Sequence, residues 1–392
     1  MDFELSEELK MLREMAADFA AEKIAPFADK WDEEHYFPYE EVIKPMGELG
    51  FFGTVIPEQY GGNEMGWLAA MILTEEIGRA SGALRVQINM QGLGCAYPIL
   101  RYGTEQAKKK YIPKLVSAEY IGGFAITEPN AGSDVMSLKT VAEDKGDHYL
   151  VNGSKTWISN ASIANCVILY AYTDKSAGTR GLSAFVLDLK DENGKPAPGV
   201  SVTDLDKMGL RSSPTGEIYL ENAKVPKENL LGKLGDGAKI VFGSLNQTRL
   251  SAAAGGVGLA QACLDAAVKY ANEREQFGQP IAQFQMIQEQ IARMAIEVEC
   301  ARLLVYKAAV QKDNGQYGNG LEVAMAKAKG GDTAMFCAEQ AMRILGAYGY
   351  STEYPVARFY RDAPSLFIVE GSANVCKMIT ALDALGIRKA NR

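Results

Sequence analysis

Histidine is nearly absent from this chain: His35 and His148 are the only two in 392 residues, and both sit in charged, surface-like segments. That scarcity argues against a histidine-based triad and a histidine-rich metal site, so proton chemistry must rest on a carboxylate, Tyr, Lys or Cys. No C-x-x-C pair occurs among the six cysteines (Cys95, Cys166, Cys263, Cys300, Cys337, Cys376), which are expected to be buried free thiols. Charge is spread without long runs, 41 basic against 49 acidic residues for a net −8. Neither a nucleic-acid groove nor a polybasic membrane anchor is indicated. No apolar run approaches the roughly 18 residues a membrane span needs. The opening Met1-Asp-Phe-Glu-Leu-Ser-Glu-Glu8 is acidic and amphipathic, unlike a secretory signal or an Arg-rich transit peptide. These absences lead to the expectation of a cytoplasmic protein with no membrane span and no nucleic-acid partner.

What is present is ample material for cores. Hydrophobic residues make up 47% of the chain, enough for two or three domains. Residues 1–120 read as helical. Ser6 can cap a first helix that carries Glu7 and Glu8 in its opening turn, and Leu9, Leu12, Met15, Ala16, Phe19 and Ala20 then follow the helical period. A further helix is expected over Trp67–Arg79. From 121 to 232 the period changes to short β-branched and aromatic runs separated by turn residues, as in a small antiparallel β domain. They are Tyr149–Val151, Lys155–Ser159, Val167–Thr173, Gly181–Leu187 and Glu217–Leu220. Long helical segments such as Phe284–Gln311 fill 233–392 and suit a bundle. The fold class is α+β: an N-terminal helical domain, a central antiparallel β domain and a C-terminal four-helix bundle. Gly256-Val-Gly258-Leu-Ala-Gln-Ala262 mimics a dinucleotide fingerprint, but an Ala-rich helical stretch precedes it where a strand is required. Close helix packing explains these small residues better.

Two motifs bring potential chemistry. Phe124-Ala-Ile-Thr-Glu-Pro-Asn-Ala-Gly-Ser-Asp134 is an apolar strand breaking into a loop with free hydroxyls and backbone N–H groups. Asn152-Gly-Ser-Lys-Thr-Trp-Ile-Ser-Asn160 reads as a hairpin with a type I′ turn at Asn152-Gly153, placing Trp157 and Ser159 on one strand face. Hydroxyls, amides and an indole together suit an isoalloxazine ring and a phosphorylated acyl carrier. Far downstream, Glu370 ends the apolar run Leu366-Phe-Ile-Val369 and precedes Gly371. It is either turned outward or desolvated against a pocket, where burial would raise its pKa and make it a base near neutral pH. Gly371 would allow close substrate approach. Arg274, beside Phe277 and Gly278, is a solvated surface group or a diphosphate clamp. Arg249, in Asn246-Gln-Thr-Arg-Leu, carries the same choice with a substrate phosphate or amide as its target. Arg85 lies among apolar residues and calls for a carboxylate, either structural or from a ligand.

These residues match a family. Over nearly its whole length and in the same order, the chain resembles the acyl-CoA dehydrogenases. The signals are F-A-I-T-E-P-N-A-G-S-D, N-G-S-K-T-W-I-S-N, N-Q-T-R-L-S-A-A-A-G-G-V-G-L-A-Q, E-R-E-Q-F-G and I-L-G-A-Y-G-Y-S-T-E-Y-P-V-A-R-F-Y-R-D-A. The resemblance implies a homotetramer with FAD between the β domain and the C-terminal helices. By the same resemblance, Phe124, Ile126, Thr127, Trp157 and Ser159 surround the flavin, and Arg274 and Phe277 hold its diphosphate and adenine across a subunit interface. Arg343 stands near that diphosphate where many relatives have Gln, and Ser372 and Asn374 complete the cofactor set. Ser133, Asn246 and Arg249 contact the CoA arm. Glu370 falls where most members carry the base that removes the α-proton, while the β-hydrogen leaves as hydride to the flavin. The thioester oxygen is polarised by the Glu370 N–H and a flavin ribityl hydroxyl, and electrons pass on to electron-transfer flavoprotein.

Among the branches of the family the chain looks most like glutaryl-CoA dehydrogenases, with Arg85 in the place of the arginine that pairs with the distal carboxylate. Decarboxylating members carry Tyr immediately before the base and an acid upstream of the arginine. Here Val369 precedes the base, and the acid expected upstream of the arginine aligns near Gly78. The expectation is therefore glutaryl-CoA to glutaconyl-CoA without decarboxylation. The alternatives are a dehydrogenase of a cyclic or short-chain acyl-CoA such as cyclohexanecarboxyl-CoA, a decarboxylating glutaryl-CoA dehydrogenase, an acyl-CoA oxidase, and a silent flavin- or CoA-binding scaffold.

Overall fold

The computed structural model describes residues 4–389; the first three residues of the acidic opening segment and the last three of the chain lie outside them. Helices come first: α1 Glu7–Lys23, α2 Ala28–Glu33, α3 Lys44–Glu48, α4 Trp67–Ala80, α5 Tyr97–Tyr102 and α6 Glu105–Val116. Strands follow: β1 Gly122–Ala125, β2 Val141–Asp144, β3 His148–Ser159, β4 Cys166–Tyr172, β5 Leu182–Asp188, β6 Val200–Asp204, β7 Thr215–Pro226 and β8 Leu230–Leu231. The chain then returns to helix with α7 Gly237–Glu273, passes through a two-stranded ribbon of β9 Glu275–Gln276 and β10 Gln279–Pro280, and ends in α8 Gln285–Asp313, α9 Gly320–Leu345, α10 Val356–Ile368 and α11 Ala373–Ala384.

Local sequence accounts for the element ends. Ser6 caps α1 by accepting the Leu9 N–H at 3.3 Å, and Leu12, Ala16 and Ala20 at four-residue spacing form its buried stripe. Asp313 caps α4 from a distance: its carboxylate accepts the Trp67 and Leu68 N–H groups at 2.6 and 3.0 Å. The opening of the α4 helix is thereby fixed to the end of α8.

The eight-stranded sheet runs β6-β7-β3-β2-β4-β5-β8, with β1 also paired to β4. Most pairings are antiparallel, but β1 and β2 both run parallel to β4, a departure from the all-antiparallel expectation. The expected hairpin at Asn152-Gly153 is also absent. β3 continues straight through it and pairs with β7 on both sides, with a register shift between Val151 and Gly153. The reason lies in the partner strand: Asn222, itself at φ 55, exchanges bonds with Asn152, its N–H donating to Asn152 Oδ1 at 2.9 Å. Paired irregularities on both strands make a bulge where a turn was read. Gly153 is required there, since a Cβ would stand 2.5 Å from Thr140 Oγ1.

α7 is the axis of the C-terminal helices and packs against α4, α8 and α9. The glycines of the false dinucleotide fingerprint lie inside it. A Cβ on Gly256 would meet the Gly330 carbonyl of α9 at 2.5 Å, and one on Gly258 the Glu75 carbonyl of α4 at 2.2 Å, so close helix approach is their use. Among the described residues α7 is also long and apolar enough to cross a bilayer, as α10 and α11 are if their 43° bend counts as one span. This corrects the reading that no run comes near that length. Inside the protein, 78% of the apolar window of α7 is buried.

All six cysteines are free; five are buried and Cys300 is exposed, against the expectation that all would be buried. No group of three or more His, Cys, Asp or Glu able to hold a metal occurs among the described residues.

Candidate active site

A cavity of about 1470 Å3 opens between the sheet and the C-terminal helices, larger than a single drug-sized ligand fills. Phe124, Ile126 and Thr127 from β1 and its following loop line it, as do Ser133, Trp157 and Ser159. α7 contributes Asn246 and Arg249, and the link from α10 to α11 contributes Val369, Glu370, Gly371 and Ser372. The two sequence motifs therefore meet, held from beneath by a buried ion pair. Lys155 of the second motif donates to Glu128 of the first at 2.9 Å and to the Ile126 carbonyl at 3.0 Å. Burial lowers the Lys155 ammonium to about 8 despite the pull of Glu128. Burial also pushes Glu128 up, but Lys155, Thr140 and the Lys139 N–H outweigh it and keep that carboxyl below its usual range. With Lys155 drawn inward, a second register shift in β3 sets Trp157 at φ 59 and leaves it 60% exposed on the cavity side. A bulky residue in the left-handed region is costly and marks a site that needs it there.

Glu370 sits in the break between α10 and α11, also left-handed at φ 57, with Gly371 at φ 86. Each part of the residue has a distinct partner. Thr248 Oγ1 donates to one carboxylate oxygen at 2.5 Å and Asn89 Nδ2 to the other at 3.2 Å. Arg249 Nε donates to the Glu370 carbonyl at 2.9 Å. The Glu370 carboxylate, half-buried, lines the cavity. Arg249 is partly committed to the Glu370 backbone, a role not anticipated for it. Asn246 meets Asn319 at 3.4 Å while lining the cavity, and Ser372 caps α11 through the Val375 N–H at 3.4 Å.

Val86 and Glu370 line the cavity, whereas Arg85 is not among its lining residues. It is 2% exposed, its Nε has no hydrogen-bond partner, and it forms no ion pair among the described residues. Burial lowers it to about 10 against the attraction of Glu370 and Asp362. Asp362, equally deep, is pushed by burial up to about 6 in spite of Arg358 and the Leu210 N–H it accepts at 2.6 Å. Gly255 makes room for Arg85, since a Cβ there would lie 2.7 Å from its Nε. A buried guanidinium that neighbouring carboxylates attract but do not pair with is unfavourable unless something supplies a directly bonded opposite charge.

Four residues placed at the cofactor by resemblance lie elsewhere in the single chain. Arg343 is exposed and paired with Glu339 on its own helix at 2.6 Å, and Asn374 is exposed and outside the cavity lining. Arg274 is exposed, 5.7 Å from the Tyr348 ring centroid. Phe277 and Gly278 form the tight turn between β9 and β10, both with positive φ as a type I′ turn requires, and Phe277 is 93% exposed. Asn89 and Thr248 were missed by sequence reasoning. Thr248 lies within the quoted N-Q-T-R stretch, and Asn89 belongs to an alternation of buried amides, Gln87, Asn89 and Gln91, in a segment wound as a π-helix over Ile88–Ala96. Such segments recur at functional sites.

Comparison with known proteins places the chain. Three family models cover it in succession: the acyl-CoA dehydrogenase N-terminal domain over 6–119, the middle domain over 123–223 and the C-terminal domain over 235–385. The chain belongs to the acyl-CoA dehydrogenase family and is an oxidoreductase with FAD as its cofactor. It is 68% identical over 394 residues, 100% of each chain, to a glutaryl-CoA dehydrogenase of Desulfococcus multivorans. A solved glutaryl-CoA dehydrogenase in complex with glutaryl-CoA superposes with a TM-score of 0.98 at 68% identity, covering 100% of this chain and 98% of the other. A structure described as the electron transferring flavoprotein of Acidaminococcus fermentans matches with a TM-score of 0.94 at 40% identity, covering 98% and 100%.

The cavity fits a flavin on its own evidence: the indole of Trp157 turned toward it by a strained backbone, and the hydroxyls of Thr127 and Ser159 on its wall. If Thr248 and Asn89 hold the Glu370 carboxylate in line with the substrate, Thr248→Val will lower the rate of flavin reduction by about 10–100-fold, within the range of general-base contributions. FAD content stays at the wild-type level. Stopped-flow measurement at 450 nm checks this; an unchanged rate contradicts the assignment.

Proposed function

We propose that the chain dehydrogenates glutaryl-CoA to glutaconyl-CoA without decarboxylation. Glu370 removes the α-proton and Arg85 pairs with the distal carboxylate. The observation that carries this reading is the buried Arg85, without an ion pair among the described residues and close enough to feel the charge of Glu370. The names of the relative and of the solved complex point the same way. In this account, Asn246, Arg249 and Ser133 line the entry for the CoA arm and Thr248 and Asn89 orient the base. The N–H of Glu370 polarises the thioester carbonyl and acidifies the α-carbon. FAD, when bound beside Trp157, Thr127 and Ser159, supplies the hydride acceptor.

Gly78 supports the absence of decarboxylation. A Cβ on Gly78 would lie 3.5 Å from the Gly255 Cα and carbonyl oxygen and 3.6 Å from Arg85 Cγ, so an acid here would crowd the Arg85 side chain; glycine brings no further negative charge beside it. Val369, on the cavity wall beside the base, brings no hydroxyl. A gas-tight assay of purified enzyme is expected to release glutaconyl-CoA and no CO2. Crotonyl-CoA in stoichiometric amount overturns the reading.

We further propose the three-part division 1–120, 121–232 and 233–392, electron-transfer flavoprotein as acceptor, and a homotetramer with Arg274 and Phe277 reaching a neighbour's cofactor. The likeness to the structure described as an electron transferring flavoprotein supports the acceptor. For the tetramer, support comes from Phe277 on its rigid turn and from the exposed Met286, Ile296, Leu303 and Val310 of α8, whose three- and four-residue multiples align along one helix. Sedimentation velocity showing a single 42.5 kDa chain would exclude it.

A further inference from the structure

Lys327 lies on α9, fully buried, and its ammonium donates to the backbone carbonyl of Leu366 at 2.6 Å. Leu366 is in the last turn of α10. In a continuing α-helix that carbonyl would accept the N–H four residues on, which belongs to Glu370. The bond is not formed. Val369 closes the last one, on the Ser365 carbonyl at 2.9 Å, and the chain then turns left-handed at Glu370. Among the described residues the Glu370 N–H has no hydrogen-bond acceptor, while its carboxylate and its carbonyl are both engaged.

Gly331, one turn along α9 from Lys327, shows how closely this carbonyl is received. A Cβ on it would stand 2.8 Å from the Leu366 oxygen. The two residues share a helix face and together form a receptor for a single helix-end carbonyl. The arrangement is expensive, because burial lowers the Lys327 ammonium to about 8, against the attraction of Cys376 and Glu370. Helix ends are commonly completed by far cheaper caps.

We propose that Lys327 is a positioning residue for dehydrogenation: it occupies the Leu366 carbonyl in place of the Glu370 N–H, leaving that N–H to donate to the thioester carbonyl. The proposal rests on the role given to Glu370 above. Lys327 does not touch the substrate; it acts by holding α10 open at its end. Removing it lets the N–H fall back onto Leu366 and extends the helix by one bond, at the expense of the carbonyl contact.

The test uses the FAD-loaded full-length enzyme with crotonyl-CoA, 13C-labelled at the thioester carbonyl, as a bound product-type ligand. Infrared difference spectroscopy reads the carbonyl stretch. In the wild type the band is expected to move to lower wavenumber on binding. Lys327→Met should lose most of that displacement, with turnover lower by about 100-fold, as for the loss of one preorganised donor. Lys327→Gln, which keeps an N–H donor for Leu366, should retain most of the displacement. Glu370→Gln should keep the displacement while losing turnover, so failure of the base assignment and failure of this proposal give different results. A wild-type displacement in Lys327→Met, or a rate loss no greater than its loss of bound FAD, overturns the proposal. Should Lys327→Met not fold, hydrogen exchange on the wild type decides. The Glu370 amide is expected to exchange freely without ligand and slowly with it; protection without ligand overturns the proposal.

Discussion

Replacing Glu370 by glutamine will lower the rate of flavin reduction by about four orders of magnitude while leaving acyl-CoA binding within a few-fold of wild type. The side chain keeps its shape, and Thr248 and Arg249 keep a partner oxygen to bond, at the Glu370 side chain and carbonyl respectively. What is lost is the group proposed to accept the α-proton. General-base catalysis contributes about 10²–10⁴-fold, and with only two histidines in the chain, His35 and His148, neither on the cavity wall, nothing nearby substitutes readily. Lys327 cannot take over, since its ammonium is spent on the Leu366 carbonyl. Anaerobic stopped-flow reduction, with ligand affinity from the flavin spectral shift, checks both halves. A loss below about tenfold would mean that another group removes the proton.

Replacing Arg85 by methionine has the second large effect, and it has two signs. Turnover of glutaryl-CoA is expected to fall by about 10³-fold, because a charge-paired carboxylate loses its partner in a buried setting. Butyryl-CoA, which has no distal carboxylate, should lose less than about fivefold. Equal losses on both substrates would favour a cyclic or short-chain acyl-CoA as the physiological substrate. At the same time the ligand-free protein should become more stable. Arg85 is fully buried, and burial lowers it from the usual guanidinium range to about 10; at 1.36 kcal/mol per unit its charged form costs the fold on the order of 3 kcal/mol near neutral pH. Methionine fills the same space without that cost. Thermal unfolding of the two apo-substrate enzymes side by side measures the gain; a less stable variant would show that Arg85 serves the fold.

Much of the architecture was legible because it rests on local signals. Ser6 reads as a cap and is one; Trp67–Arg79 reads as a helix and lies within α4; the small residues around Gly256 read as helix packing and touch two neighbouring backbones. The fold class follows from the same alternation of periods. Failures arise where a partner strand decides. Asn152-Gly153 carries the sequence of a tight turn, but Asn222 across the sheet turns it into a bulge, and nothing within the dipeptide announces that. The wall of the site was legible in the same partial way. Phe124, Ile126, Thr127, Trp157, Ser159 and Glu370 meet because their motifs are compact and chemically distinctive.

Their supports were hidden. Asn89 is one buried amide among three, Thr248 one hydroxyl in a long helix, and Lys327 one of two lysines in Ala-Met-Ala-Lys-Ala-Lys. Lys327 is fully buried while Lys329 is only partly so and pairs with Glu297. Which lysine faces the α10 end depends on helix rotation by a fraction of a turn, and periodicity alone does not resolve that. Arg274 and Phe277 present the opposite difficulty. Their motif is clear, but a single chain holds them at the surface, and the use proposed for them lies in the proposed tetramer.

Anaerobic titration of the purified enzyme with glutaryl-CoA tests the central claim most directly. The account expects the yellow flavin band to bleach with one equivalent of substrate and glutaconyl-CoA to be recovered in matching amount. A flavin that binds glutaryl-CoA yet stays oxidised, while butyryl-CoA or a cyclic acyl-CoA bleaches it, would contradict it.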